Sequence, residues 1–219
     1  MASSVYVSGA CMLDGVNYPR VTEILQAYTS YHTVPQHILG KAAARGTRVH
    51  AICAGIANGA WISSETIGEE YIGYVRSFEK WFDENVKEVL IVEKRYIDKK
   101  FEYTGQIDLL ILSKKGRRCL VDLKTSSKKQ KTYEIQMAAY CGMLDTHGIT
   151  VNTSMIVYLQ KDGEEAKVVE SHCWDKELYV FKCALNCWRY FNGREIKSLP
   201  ENTCDYEGPE IHSKGFSES

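Results

Sequence analysis

The chain has 219 residues, 44% hydrophobic and 25% charged, an ordinary globular composition with enough length for one sizeable domain. Its 27 lysines and arginines against 28 aspartates and glutamates give a net charge of −1, which excludes a uniformly basic, histone-like coat. The longest apolar runs, such as Leu109-Leu110-Ile111-Leu112, fall far short of the roughly 20 residues that span a bilayer, so no membrane partner is expected. No secretory or Arg-rich targeting pattern precedes Arg20, and the eight cysteines follow no framework spacing, so an intracellular, reducing location is expected.

In chain order, Val21–Leu25 predicts a short helix. Pro35 opens a longer one over about 36–56, where Ala42, Ala43, Val49, Ile52, Cys53 and Ile56 make a small-residue stripe ended by Asn58-Gly59. Residues 65–85 repeat apolar groups at Ile67, Tyr71, Ile72, Val75, Phe78 and Phe82, the spacing of an amphipathic helix. The period then changes to 2, predicting strands over 88–98, 104–113 and 118–125. A helix over about 130–146 follows, then strands at 151–160 and 166–174 joined through Asp162-Gly163. Asp175 is the expected N-cap of a helix running to about Phe191, stopped by Asn192-Gly193, and the last 25 or so residues read as a polar tail. From residue 65 the order is α-β-β-β-α-β with an extra strand and helix, which predicts an α/β domain: a central mixed sheet flanked by helices, with an N-terminal helical extension over 1–60, a core over 65–174 and a C-terminal helix and tail over 175–219.

Two of these strands carry an acid inside an apolar run, Asp108 and Asp122. A buried carboxylate costs several kcal/mol unless it is paired or bound to a metal, so two in adjacent strands point to use. With the turn centred on Lys115, antiparallel partners sum to 230 and Asp108 falls opposite Asp122, with Cβ atoms about 4.5–5.5 Å apart. Lys124 is two residues from Asp122 and shares its face. Facing carboxylates beside a lysine suit a divalent cation with oxygen ligands, Mg²⁺ or Mn²⁺.

Gly105-x-x-Asp108 followed by Asp122-Leu123-Lys124-Thr125 resembles the PD-(D/E)XK nuclease superfamily, whose core order is αβββαβ. Gln136-Met-Ala-Ala-Tyr140 resembles the Q-x-x-x-Y element of its RecB-like exonuclease branch, and Arg45-Gly46-Thr47-Arg48-Val49-His50 resembles that branch's histidine-bearing helix. The proline of the superfamily's name is replaced by Ile107. The resemblance covers roughly residues 40–160 and implies a restriction-endonuclease-like fold. It also implies a metal-dependent deoxyribonuclease, an exonuclease on single strands or duplex ends serving recombination, repair or phage replication. A structure-selective or restriction-like endonuclease and a non-catalytic DNA-binding module are the alternatives.

On this resemblance Asp108, Asp122 and Lys124 are the catalytic set, and His50, Asp108, Asp122 and the Leu123 carbonyl hold one or two Mg²⁺ or Mn²⁺ ions. Glu93 is a further ligand candidate, in competition with Glu69, Glu70 and Glu79. DNA contact is expected of Gln136, Tyr140, Lys128, Lys129, Lys131 and Arg45, and Tyr28, Tyr31 and Trp61 are candidates for stacking on bases. An iron–sulfur cluster is not expected, because Cys183, Cys187 and Cys204 lack the tight triplet that binds one in some relatives. The near-neutral total hides segregation: residues 114–131 hold eight basic groups and one acid, whereas 60–93 hold eight acids and three bases.

Overall fold

The computed structural model describes residues 5–7, 10–13 and 16–199. Short strands β1 (Val5–Val7), β2 (Ala10–Leu13) and β3 (Val16–Tyr18) form an antiparallel meander, followed by α1 (Val21–Leu25), two 3₁₀ turns at 26–28 and 30–33, and α2 (Gln36–Ala57). Then come α3 (Ser64–Ile67), α4 (Glu69–Asn85), β4 (Val86–Asp98), β5 (Tyr103–Ser113), β6 (Arg118–Lys124), α5 (Lys131–Asp145), β7 (Thr153–Tyr158), β8 (Lys167–Ser171) and α6 (Asp175–Phe191).

Strands β4 to β8 form one five-stranded sheet in sequence order, antiparallel except for β6 and β7. That parallel pair requires a crossover, and α5 supplies it. β6, in the middle, is apolar on both faces because both are covered: Leu120 packs with α1, α5 and α6, whereas Val121 and Leu123 pack with α2 and α4. The α/β core with flanking helices is therefore as expected.

Three expectations need correction. The N-terminal part is not wholly helical, since it begins with the β1–β3 meander. The 65–85 helix is two helices, because Gly68 at φ 88° takes a left-handed conformation that breaks the ladder between α3 and α4. Trp174, not Asp175, occupies the N-cap of α6, and Asp175 is its first helical residue. Arg194–Leu199 have no regular structure, and the rest of the expected polar tail lies outside the described residues.

Both ends of the described chain converge on the start of β5. The Thr104 N–H donates to the Pro19 carbonyl at 2.9 Å, and Arg194 donates to the Asn17 carbonyl at 2.7 Å. The buried Arg189 of α6 donates to the Phe101 carbonyl in the β4–β5 turn and lies 3.9 Å from Glu102, which Lys197 also pairs with at 3.0 Å.

Candidate metal centre

The β5–β6 ladder runs from Leu112↔Arg118 to Leu109↔Val121, the register whose next step brings Asp108 to Asp122. At that step the strands part. The Leu123 N–H donates to Asp108 Oδ2 at 2.8 Å, so a carboxylate stands where a backbone acceptor would continue the ladder. Beyond this point β6 continues only with β7, through Asp122↔Ile156 to Lys124↔Tyr158.

On the other side, the β4–β5 pairs Val92↔Leu109 and Lys94↔Ile107 place Glu93 opposite Asp108. Here the hairpin twists: Ile107 packs into the core under α5, but Leu109, two residues on, packs into the core under α2 and α4. Residues two apart in a regular strand share a face, so the strand changes faces at Asp108. Glu93 takes up the distortion with φ 45°, a left-handed conformation that costs a non-glycine residue roughly 1–3 kcal/mol and is typical of functional sites.

Helix α2 completes the arrangement. Its buried Val49 and Cys53 dock on the sheet and bring His50 Nδ1 to 3.4 Å from Asp108 Oδ2. One ligand atom each from His50, Glu93 and Asp108 lies within 4.8 Å of the others, and all three residues are partly exposed. An imidazole nitrogen and two carboxylates make a donor set that fits Mn²⁺ or Mg²⁺, with further positions left for water and substrate. Glu69, Glu70 and Glu79 are exposed and stand outside this group.

Asp122 lies beside this group, not within it. Its Oδ1 accepts from Gln136 Nε2 at 2.8 Å, while the buried Oδ2 is ion-paired with the Lys124 ammonium at 2.6 Å. Lys124 Nζ is also 3.4 Å from Gln136 Oε1 and sits 4.4 Å above the ring of Tyr133, whose hydroxyl meets that of Tyr31 at 2.9 Å. Gln136 donates as well to the Tyr140 hydroxyl at 3.3 Å. Tyr140 packs so closely over Gly105 that a Cβ there would stand 2.3 Å from its ring, so Gly105 and Tyr140 are one packing unit. Gln136 and Tyr140, of which DNA contact and active-site support are expected, are both buried, and Gln136 holds both members of the Asp122–Lys124 pair.

The pKa values of the two aspartates shift in opposite directions. Burial favours the neutral acid in both, but His50, the Leu123 N–H and Lys124 hold Asp108 below the usual carboxylate pKa. Asp122 is pushed up by burial, with Lys124 opposing and Asp108 adding to the rise. Burial works against a charged His50, yet the Asp108 carboxylate prevails and raises its pKa to about 9. Glu93 is raised by burial, with its hydrogen bond from Gln106 opposing.

Above these residues opens a cleft of about 810 Å³ with His50, Leu123, Lys124 and Thr125 in its lining, α2 residues Ala42, Ala43 and Gly46 along one side, and Tyr31 and Tyr133 along another. Arg45 also lines it, 3.5 Å from Thr125 Oγ1 and 5.6 Å from the Tyr74 ring centre. Lys128, Lys129 and Lys131 are exposed. Lys129 and Lys131 line a separate hollow of about 270 Å³ with the exposed Tyr28, and Lys128 Nζ reaches Ser30 Oγ at 3.3 Å. Trp61 is 88% exposed and lines neither.

Sequence reasoning missed Gln106 as a site residue, although it lies two residues before Asp108 on the same strand. It donates to Glu93 Oε2 and accepts from Arg95 at 3.0 Å.

No helix among the described residues is long and apolar enough to cross a membrane. No curated protein matches the chain. Among solved structures it is similar to "Crystal Structure of LHK-Exo in complex with dAMP", at 13% identity over 78% of this chain and 85% of that one, with a TM-score of 0.43. It is also similar to "Crystal structure of SSO0001", at 15% identity and a TM-score of 0.36, over 56% of this chain and 59% of that one, so it spans less than two thirds of that protein's length. The family model of the PD-(D/E)XK nuclease superfamily, whose members use divalent metals, matches residues 23–206. That span takes in α2, the whole five-stranded sheet and α5, with His50, Glu93, Asp108, Asp122 and Lys124 inside it, and the chain belongs to the PD-(D/E)XK nuclease superfamily.

Proposed function

We propose that this chain is a Mg²⁺- or Mn²⁺-dependent DNA exonuclease of the RecB-like branch, acting inside the cell on single strands or duplex ends in recombination, repair or phage replication. The observation that carries the reading is the convergence of His50, Glu93 and Asp108 beside the Asp122–Lys124 pair, with His50 and Lys124 lining one cleft. His50, Glu93 and Asp108, with Asp122 and the Leu123 carbonyl adjoining, would hold one or two ions. A bound divalent cation offsets the charge of the scissile phosphate and favours ionisation of a nearby water.

The rest is the work of the side chains. Lys124, held by Asp122, Gln136 and the Tyr133 ring, is fixed where its ammonium orients the attacking water and stabilises charge growing on the phosphate. The water oxygen bonds to phosphorus and loses its proton, and the bridging P–O bond breaks with a proton going to the leaving oxygen. Arg45 contacts phosphate from within the cleft. Lys128, Lys129 and Lys131 draw the strand inward over longer range.

The preference for single strands or ends rests on the resemblance to the RecB-like branch, and the strand would enter the cleft of about 810 Å³ that His50 and Lys124 line. Tyr31 at its edge offers a face on which a base can stack.

The test is incubation of wild type and Asp122→Ala with 5′-labelled linear, 3′-labelled linear and closed circular single-stranded DNA in Mg²⁺ or Mn²⁺. Nucleotide release from linear strands, with circles spared and the variant inactive, is the expected result. Cleavage of circles at an equal rate makes the protein an endonuclease, and DNA binding without hydrolysis of any substrate makes it a binding module.

A further inference from the structure

Four side chains of the β4–β5 hairpin meet at the metal centre: Glu93 and Arg95 from β4, Gln106 and Asp108 from β5. Arg95 and Gln106 are directly opposed across the ladder. The Arg95 guanidinium donates to Gln106 Oε1 at 3.0 Å, and Gln106 Nε2 donates to Glu93 Oε2. The order of these bonds is set by chemistry. A guanidinium has donors and no acceptor, so it accepts only the carbonyl end of the amide, which turns the amide NH₂ toward Glu93. A carboxylate with one oxygen engaged in this way keeps the other for a ligand role. Glu93 needs such a hold, because its left-handed backbone is a conformation that a free chain leaves readily.

We propose that Gln106 and Arg95 are positioning residues for the metal centre: Arg95 fixes the orientation of the Gln106 amide, and Gln106 fixes Glu93 as the third donor beside His50 and Asp108. This rests on the metal-nuclease reading above. Outer hydrogen-bond partners of metal ligands are worth about 10–100-fold in metal affinity.

The test measures Mn²⁺ binding without DNA, by the loss of the free-ion electron paramagnetic resonance signal, on wild type, Asp108→Asn, Gln106→Leu, Arg95→Lys and Arg95→Glu. Thermal melting is followed in parallel, since a purely structural role would lower the melting temperature and leave Mn²⁺ affinity alone. Gln106→Leu should bind Mn²⁺ at least about tenfold more weakly than wild type. Arg95→Lys, which keeps a donor and no acceptor, should bind as wild type, whereas Arg95→Glu, which draws the amide NH₂ to itself, should match Gln106→Leu. If wild type binds Mn²⁺ and Asp108→Asn does not, but Gln106→Leu binds as wild type, the positioning proposal falls and the nuclease reading stands. If wild type binds no Mn²⁺, both fall.

Discussion

Lys124 has three partners that fix its ammonium, and they act in different ways. Asp122 is its counter-charge, Gln136 bridges the pair, and the Tyr133 ring lies beneath it. Replacing Lys124 with Met keeps the aliphatic stem and removes the charge. Hydrolysis should slow by about a hundredfold or more, while Mn²⁺ affinity stays within the same order, as single-turnover rates and direct metal titration would show. His50 gives a prediction about pH. Its pKa of about 9 lies above the ordinary value of 6.5, so without metal it is protonated at neutral pH, and metal must displace that proton. Mn²⁺ affinity should therefore rise by about tenfold per pH unit from 7 toward 9 and level off above it. Calorimetry in buffers of different ionisation enthalpy would register the released proton. The same shift stabilises the metal-free fold below pH 6.5, and that contribution is lost as pH rises through about 9.

At the scale of elements, the β5–β6 hairpin was legible in the sequence because its turn is short. Once Lys115 is at the centre, counting fixes every pair, and the register has the predicted sum. Glu93 was legible only as an acid one strand away, because nothing local announces a left-handed residue where a strand pair changes faces. The packing of Tyr140 on Gly105 was not legible for a related reason: a helix motif tells which residues share a face, but whether that face meets solvent or a glycine is decided by a distant strand. The β1–β3 meander was not legible, because its strands of three or four residues are too brief to outweigh the helical pattern that follows. The close approach of Tyr140 to Gly105 predicts that Gly105→Ala destabilises the protein by about 1–3 kcal/mol, since the new methyl group overlaps the ring. Tyr140→Leu should relieve part of that cost, so the double variant should melt higher than the sum of the single losses implies.

At the scale of the molecule, a net charge of −1 coexists with a basic stretch over 114–131. Lys128 and Lys129, on the segment joining Lys124 to α5, and Lys131, the first residue of α5, are exposed, close in sequence to the site yet not part of the cleft. Their replacement by alanine should weaken binding of single-stranded DNA with little dependence on sequence. It should also flatten the salt dependence of log K by about 0.7 for each phosphate that a lysine no longer neutralises, measurable by fluorescence anisotropy across a salt series.

Pro19 meets Thr104 of β5, only four positions before Asp108, while Arg189 and Lys197 hold Phe101 and Glu102 in the turn just before that strand, so segments far apart in the chain buttress the β4–β5 hairpin together. A chain cut back just before Arg189 would leave the Phe101 carbonyl and the Glu102 carboxylate without these partners, and on the function proposed above it should bind Mn²⁺ more weakly although every proposed metal ligand is still present.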